Sequence, residues 1–175
     1  ARNAGPRAPH RKRDLRLEVV ERVNARGEVT IPLEMGSVDR AIDRIIAAEV
    51  DSLVVCLLHS YANDCHERMI AEAVRRRCPT LTLTLSSELL PLIKEYERTS
   101  TTVINGYVRP VVERYLNRLT DGLKSSGVDV PLSVMQSNGG LSTPRVAAER
   151  PAFCIESGPA AGVMGAAYLG QRMGL

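Results

Sequence analysis

The stretch from Ser37 to Leu85 constrains this chain most, because four periodic segments follow one another with almost no spacing. Ser52–Leu58 is a continuous apolar run, the pattern of a strand covered on both faces. Before it, Ser37 is placed to cap a helix through about Ala48, with Val38, Ile42, Ile45 and Ile46 on one side. After it, Asn63 can cap a second helix whose apolar stripe is Met69, Ile70, Ala73 and Val74. Thr80–Leu85 then alternates Thr and Leu strictly, which predicts a further strand. Upstream, Leu15, Leu17 and Val19 alternate with charged residues, and Asn24–Gly27 separates that run from Glu28–Leu33. Those two runs form a hairpin signal. The whole order is that of an α/β domain with a mixed sheet flanked by helices.

Past Pro91 the chain becomes helical. Val108, Val112, Tyr115, Leu116, Leu119 and Leu123 recur at helical spacing between about Lys94 and Leu123, and Gly106 and Pro110 predict a break or kink inside that segment. Pro131–Met135 reads as a buried strand ending in the tight loop Ser137–Gly140. Thr143 and Pro144 open a short helix to Glu149, and Ala152–Ile155 reads as a last strand. Ser157-Gly158-Pro159 then begins a helix in which Gly158, Gly162, Ala166 and Gly170 recur every fourth residue. Helical glycines cost about 1 kcal/mol each relative to alanine, so the stripe predicts close approach of another backbone. The chain thus divides into a basic extended arm (1–14), an α/β part (15–90) and a helical part with strand and glycine-rich helix (91–175).

Aromatic residues make up 3% of the chain, with no Trp and a single Phe, so the core is aliphatic. Six cations against Asp14 give the first sixteen residues +5 of a total of +3. Without interleaved aromatics this arm is no single-strand stacking platform, and no nucleic-acid partner is expected. The four cysteines show neither CxxC nor metal-ligand spacing, which reads as a reducing, cytoplasmic setting. No apolar run reaches the roughly 18 residues of a membrane span, and no signal peptide is seen. The first residue, Ala1, leads us to expect a piece of a longer protein.

Several polar residues are candidates for a site. Asn138, Gly139 and Gly140 follow a predicted strand, and ligands gather at the carboxyl ends of strands in α/β sheets; the loop either lines a cleft or turns the chain. Glu97, Arg98 and Thr99 precede the long helix and suit a polar amide, or else form an exposed salt bridge. His59 ends the apolar strand, either as a general acid/base or as a structural histidine. His59 and His66 with Glu67 and Asp64 lack the spacing of a metal site, since they match no helical His-x-x-x-His pair. Ser157 has no partnered base and reads as a helix cap rather than a nucleophile.

Four clusters together carry a family resemblance. They are Leu58–Asn63 with His66-Glu67; Ser86–Glu88 with Glu95–Thr99 and Asn105–Pro110; Met135–Gly140; and Ser157–Gly162. In this order the chain resembles the hydantoinase A/oxoprolinase family, which includes subunits of acetone and acetophenone carboxylases, from about Leu15 to Gly170. The resemblance implies an ATPase of the actin/hexokinase type with two lobes around a nucleotide cleft. It implies ATP and Mg as cofactors, a cyclic amide of the hydantoin or oxoproline type as substrate, and activation by phosphorylation of its carbonyl oxygen. Ketone carboxylation and a non-enzymatic binding or assembly module are the alternatives. It also implies a hydantoinase B-like partner and a homo- or hetero-oligomer. Asn138, Gly139, Gly140, Ser157, Gly158 and Thr99 would then face the cleft, and Gly158, Gly162, Ala166 and Gly170 would form the inter-lobe hinge. The two Asp-Gly-Gly-Thr-type phosphate loops that such enzymes carry are not in this sequence, so these 175 residues are expected to bind no ATP tightly and to be inactive alone.

Overall fold

The computed structural model describes residues 14–174. The expected basic arm lies outside the described residues except for Asp14, whose carbonyl accepts a 2.7 Å hydrogen bond from Arg44 Nη2. The first hairpin pairs β1 (Arg22–Val23) with β2 (Val29–Ile31) antiparallel. Asn24 sets its turn: the side-chain oxygen accepts from Arg26 N at 2.9 Å and Glu28 N at 3.0 Å. The expected strand from Leu15 shrinks to these two residues, because the segment before them docks by other means. Val20 N donates to Ser37 Oγ, and Glu34 N donates to Val20 O.

That bond also corrects the role of Ser37. Helix α1 (Met35–Ala47) begins two residues earlier, and the Ser37 hydroxyl tethers the incoming segment instead of capping. Val38, Ile42 and Ile45 are buried on its inner side, whereas Ile46 faces solvent.

The centre of the fold is a parallel β–α–β unit. β3 (Ser52–Val55) and β4 (Thr82–Leu85) pair in register from Ser52↔Thr82 to Val55↔Leu85, joined through α2 (Cys65–Arg77). Parallel strands need such a crossover, since a tight turn cannot reverse the chain twice. Asn63 Oδ1 accepts from Cys65 N at 3.1 Å at the start of α2, although Asp64 holds the cap position. Ile70, Ala71, Ala73 and Val74 join Val38, Ile42, Val55 and Leu85 in the main core, whereas Met69 is exposed. The class is mixed α/β, and the strands among the described residues form three small two-stranded sheets. Only Val55 of β3 is fully buried, so that strand is covered less completely than its apolar run predicts.

After the short α3 (Ser86–Leu89), α4 runs unbroken from Glu95–Ser125 with Gly106 and Pro110 inside it. The expected break is absent because α4 is held on both sides of Pro110. Its first half packs on β3 and β4, and its second half packs on α5 (Pro144–Glu149). There Leu116, Ala147 and Ala148 form a second small core with Val112 and Leu119, while Tyr115 is exposed.

The expected buried strand at Pro131–Met135 is a half-buried pair of residues, β5 (Val134–Met135), which returns antiparallel as β6 (Leu141–Ser142). Thr143 caps α5 as expected. The expected strand Ala152–Ile155 is instead a 3-10 turn, Pro151–Cys154. Pro151 fixes its first dihedral, and Ala152 N is held by Asn105 Oδ1 at 3.1 Å. In α6 (Ser157–Met173) the cap position belongs to Glu156, so Ser157 is a helical residue and not the cap. No residue of α6 is buried. A Cβ added at Gly158 or Gly162 would meet nothing within 4 Å, so among the described residues no backbone fills that stripe. Among the described residues no helix is long and apolar enough to cross a membrane.

Candidate functional site

The carboxyl ends of β3 and β4 open side by side, because the strands are parallel and in register. β3 leads into Cys56–Ala62 and β4 into Ser86-Ser87. Between them lies the Glu67 side chain, fully buried on α2. Its Oε1 accepts from Leu57 N at 2.9 Å and from Ser86 Oγ at 2.7 Å. Its Oε2 accepts from Ser87 N at 2.9 Å and Ser87 Oγ at 2.7 Å. Burying a carboxylate is costly unless donors replace water, and here four donors do so. They come from the ends of both strands, so one side chain fixes the two loops relative to each other.

The network continues to α4. Ser86 Oγ lies 3.1 Å from Ser60 Oγ, and Ser60 Oγ accepts from Arg98 Nη1. Arg98 is also fully buried; its Nη2 donates to Leu57 O at 2.8 Å and to the Glu95 carboxylate. Its guanidinium carbon stands 5.7 Å from the Tyr61 ring centroid, within cation–π range. Leu57 thus gives its N–H to Glu67 and its carbonyl to Arg98, which closes a ring of hydrogen bonds through Ser86 and Ser60. Thr99, the next residue of α4, places Oγ1 3.0 Å from Cys56 Sγ.

His59 sits on the loop that this ring clamps. Its φ is +56°, left-handed backbone that is uncommon outside glycine. The imidazole meets Tyr61 edge-on at 5.9 Å, and its Nδ1 is buried without a hydrogen-bond partner. Strained backbone together with an unsatisfied buried polar atom makes His59 a candidate for contact with a ligand.

The sequence-based candidates therefore fall into two groups. His59, Arg98 and Thr99 come together at the β3–α4 corner. Glu97 turns away to solvent, 3.8 Å from Lys94 Nζ, so the ion pair of Arg98 is with Glu95 and not with Glu97. Asn138, Gly139 and Gly140 meet the start of α6 instead: Glu156 N donates to Ser137 Oγ at 3.1 Å, and Met164 approaches Gly139. In that turn Ser137 N donates to Phe153 O, Gly139 N to Gln136 O, and Gly140 N to Asn138 Oδ1. These three N–H groups are committed, so the turn does not fit a phosphate cradle, which needs several free ones. No group of three or more His, Cys, Asp and Glu among the described residues is arranged for a metal. His66 faces away from Glu67 and bonds Glu21 through Nδ1 at 2.8 Å.

Sequence reasoning missed Glu67, Ser60 and Ser86 as a unit. One signal was present: Glu67 lies three and seven residues before Ile70 and Val74, on the apolar stripe of α2. A carboxylate there must be buried, and a buried carboxylate must be bonded.

A parallel β–α–β unit with a polar cluster at its carboxyl edge defines an α/β protein whose candidate site lies where such sheets commonly hold ligands. Comparison with known proteins narrows this. The hydantoinase/oxoprolinase model matches residues 98–175, and the model of the hydantoinase/oxoprolinase N-terminal region matches residues 3–78. An uncharacterized protein of Methanocaldococcus jannaschii is 42% identical over 160 residues, which is 91% of this chain and 24% of that protein. The acetone carboxylase beta subunit of Xanthobacter autotrophicus is 34% identical over 166 residues, 93% of this chain and 23% of that subunit. The crystal structure of the ATP-dependent caprolactamase from Pseudomonas jessenii superposes with a TM-score of 0.87 at 31% identity, covering 100% of this chain and 26% of that one. This chain belongs to the hydantoinase/oxoprolinase family. It spans about a quarter of the length of these relatives.

Proposed function

We propose that this chain is part of a cytoplasmic ATP-dependent enzyme that opens a cyclic amide of the hydantoin or oxoproline type. The superposition of the whole chain on the ATP-dependent caprolactamase, at a TM-score of 0.87, carries this reading. In it, the β3–α4 corner faces the cleft. Arg98 and the hydroxyl of Thr99 make it polar, and the His59 imidazole is the group suited to hydrogen-bond an amide or move a proton. Glu97 stands at its exposed rim. Asn138, Gly139, Gly140, Ser157 and Gly158 line a second wall, and Gly158, Gly162, Ala166 and Gly170 form a hinge toward a second lobe. Residues 15–90 and 91–175 are the two parts of this segment. ATP with Mg is held by loops other than the Asn138–Gly140 turn, whose Gly139 and Gly140 N–H groups are already committed. These 175 residues alone therefore bind Mg-ATP weakly and turn nothing over.

The test is ADP release by the whole protein with Mg-ATP and hydantoin, 5-oxoproline or caprolactam, alongside chromatographic detection of the ring-opened acid. Ring opening coupled to ADP release with one of them supports the reading. No lactam-dependent ADP, with acetone and bicarbonate consumed instead, would replace it with ketone carboxylation, the second reading that the acetone carboxylase relative favours. That beta-subunit relative also supports assembly with a second, hydantoinase B-like subunit or domain.

A further inference from the structure

We infer that Glu67 is a positioning residue, acting through His59. The inference rests on the reading of the β3–α4 corner as the substrate-facing site. Glu67 lies in the first turn of α2, fully buried, and touches no open surface, so it meets no substrate itself. What it holds is the loop that carries His59. The Leu57 N–H ends at Glu67 and the Leu57 carbonyl ends at Arg98. Ser60, one residue past His59, is tied to Ser86 and Arg98. His59 is therefore pinned on both sides, two residues before and one after, by members of one hydrogen-bonded ring.

The ring explains why His59 can stay in left-handed backbone. Left-handed backbone at a non-glycine residue, here φ +56° at His59, is strained, and such a conformation persists only where its surroundings over-determine it. It also accounts for two loops on different strands being fixed by one carboxylate. Glu67 takes two bonds from Ser87 and one from Ser86 at the end of β4, and one from Leu57 at the end of β3. Loss of any member lets residues 57–60 relax toward ordinary backbone and swings the imidazole away. The family-resembling clusters Leu58–Asn63 with His66-Glu67, Ser86–Glu88 and Glu95–Thr99 are brought to one place by this ring.

A double-mutant cycle in the whole enzyme tests this, with Glu67→Gln, His59→Gly and both together, read as kcat/KM for ATP-coupled turnover. Gly accepts φ +56° without strain, so His59→Gly removes the imidazole and leaves the loop in place. Glu67→Gln is expected to lower kcat/KM about 100-fold, the loss that about 1 Å of misplacement brings. In the His59→Gly background it should cost nothing more. Losses that multiply would overturn the inference, since a merely structural glutamate weakens both backgrounds alike. Ser60→Ala, which opens the ring while leaving all four bonds to Glu67, repeats the cycle should Glu67→Gln fold poorly. Hydrogen exchange of the peptide spanning 57–61, measured without substrate, should quicken at least tenfold in either variant; unchanged exchange would also overturn the inference. Activity with acetone but not with lactams would sink the proposed reaction and still leave this coupling measurable.

Discussion

Gly106 lies against Val54 so closely that a Cβ on it would fall 2.3 Å from Val54 Cγ2. The backbone of α4 crosses β3 at this point and rests directly on the Val54 side chain, with no side chain of its own between them. Ser52 Oγ is the next nearest atom at 3.4 Å. The absence of a side chain at this one position sets how near the long helix comes to the parallel strands, and so how near Arg98 comes to Ser60 two turns earlier.

Gly106→Ala should therefore destabilise the fold even though alanine is the better helix former. Valine is branched at Cβ and turns with difficulty, so it cannot step aside. Overpacking costs about 1–3 kcal/mol, against about 1 kcal/mol gained in helix propensity. Urea denaturation should show a net loss of about 1 kcal/mol. Combining the change with Val54→Ala should recover part of it, and no recovery would place the clash elsewhere.

His66 and Glu21 make a buried bond, with side chains 5% and 7% exposed. It pins the segment before β1 to the first turn of α2. Glu21→Ala would leave a buried ring nitrogen unpaired, a cost of about 1–3 kcal/mol. Thermal melts should show that loss for Glu21→Ala, and Glu21→Ala with His66→Ala should lose less than the two single changes added together. Additive losses would mean that the bond contributes nothing of its own.

Much of this architecture was legible in the residues. The parallel unit follows from the spacing of Val38, Ile42, Ile45, the run Ser52–Leu58 and the Thr/Leu alternation, because burial patterns of helices and strands are written at different periods. The errors share a cause. Ser37 and Ser157 are short polar residues that cap, turn or tether with similar local chemistry, and only their distant partners decide which. Ala152–Ile155 was apolar enough for a strand, but Asn105, 47 residues earlier, holds Ala152 N in a turn. Arg98 was legible as a candidate, while its true partners Glu95, Ser60 and Leu57 were not. Periodicity reports what is buried, and a polar ring assembled from four separate segments has no period.

Asn105 is a test of that long-range control. Fully buried on α4, it donates from Nδ2 to Glu149 O at 3.1 Å and accepts from Ala152 N through Oδ1. Asn105→Ala abandons two half-buried backbone groups at once, and should cost about 1–3 kcal/mol on that account. The loss should be local first: hydrogen exchange should rise across residues 149–154 and, through Ser137 N on Phe153 O, in the β5–β6 turn. Protection unchanged at 149–154 would show that the turn is set by Pro151 alone.

Cys154 gives the fold a dependence on alkaline pH. Its thiol is half-buried beside Leu116, Ala147 and Ala148, and burial raises its pKa above the ordinary thiol value. A raised acid keeps its proton longer in the folded chain than in the unfolded one, so between the two pKa values the unfolded state has released the proton and the folded state has not. Stability is then complete below the unfolded thiol pKa and declines as pH rises through it toward the folded value. Cys154→Ala should lower stability at neutral pH by removing packing, yet flatten its decline on the alkaline side. Urea midpoints between neutral and alkaline pH, taken as the difference between the two proteins, isolate that contribution from lysine and tyrosine titration. A difference that stays constant with pH would show that the thiol ionises alike in both states.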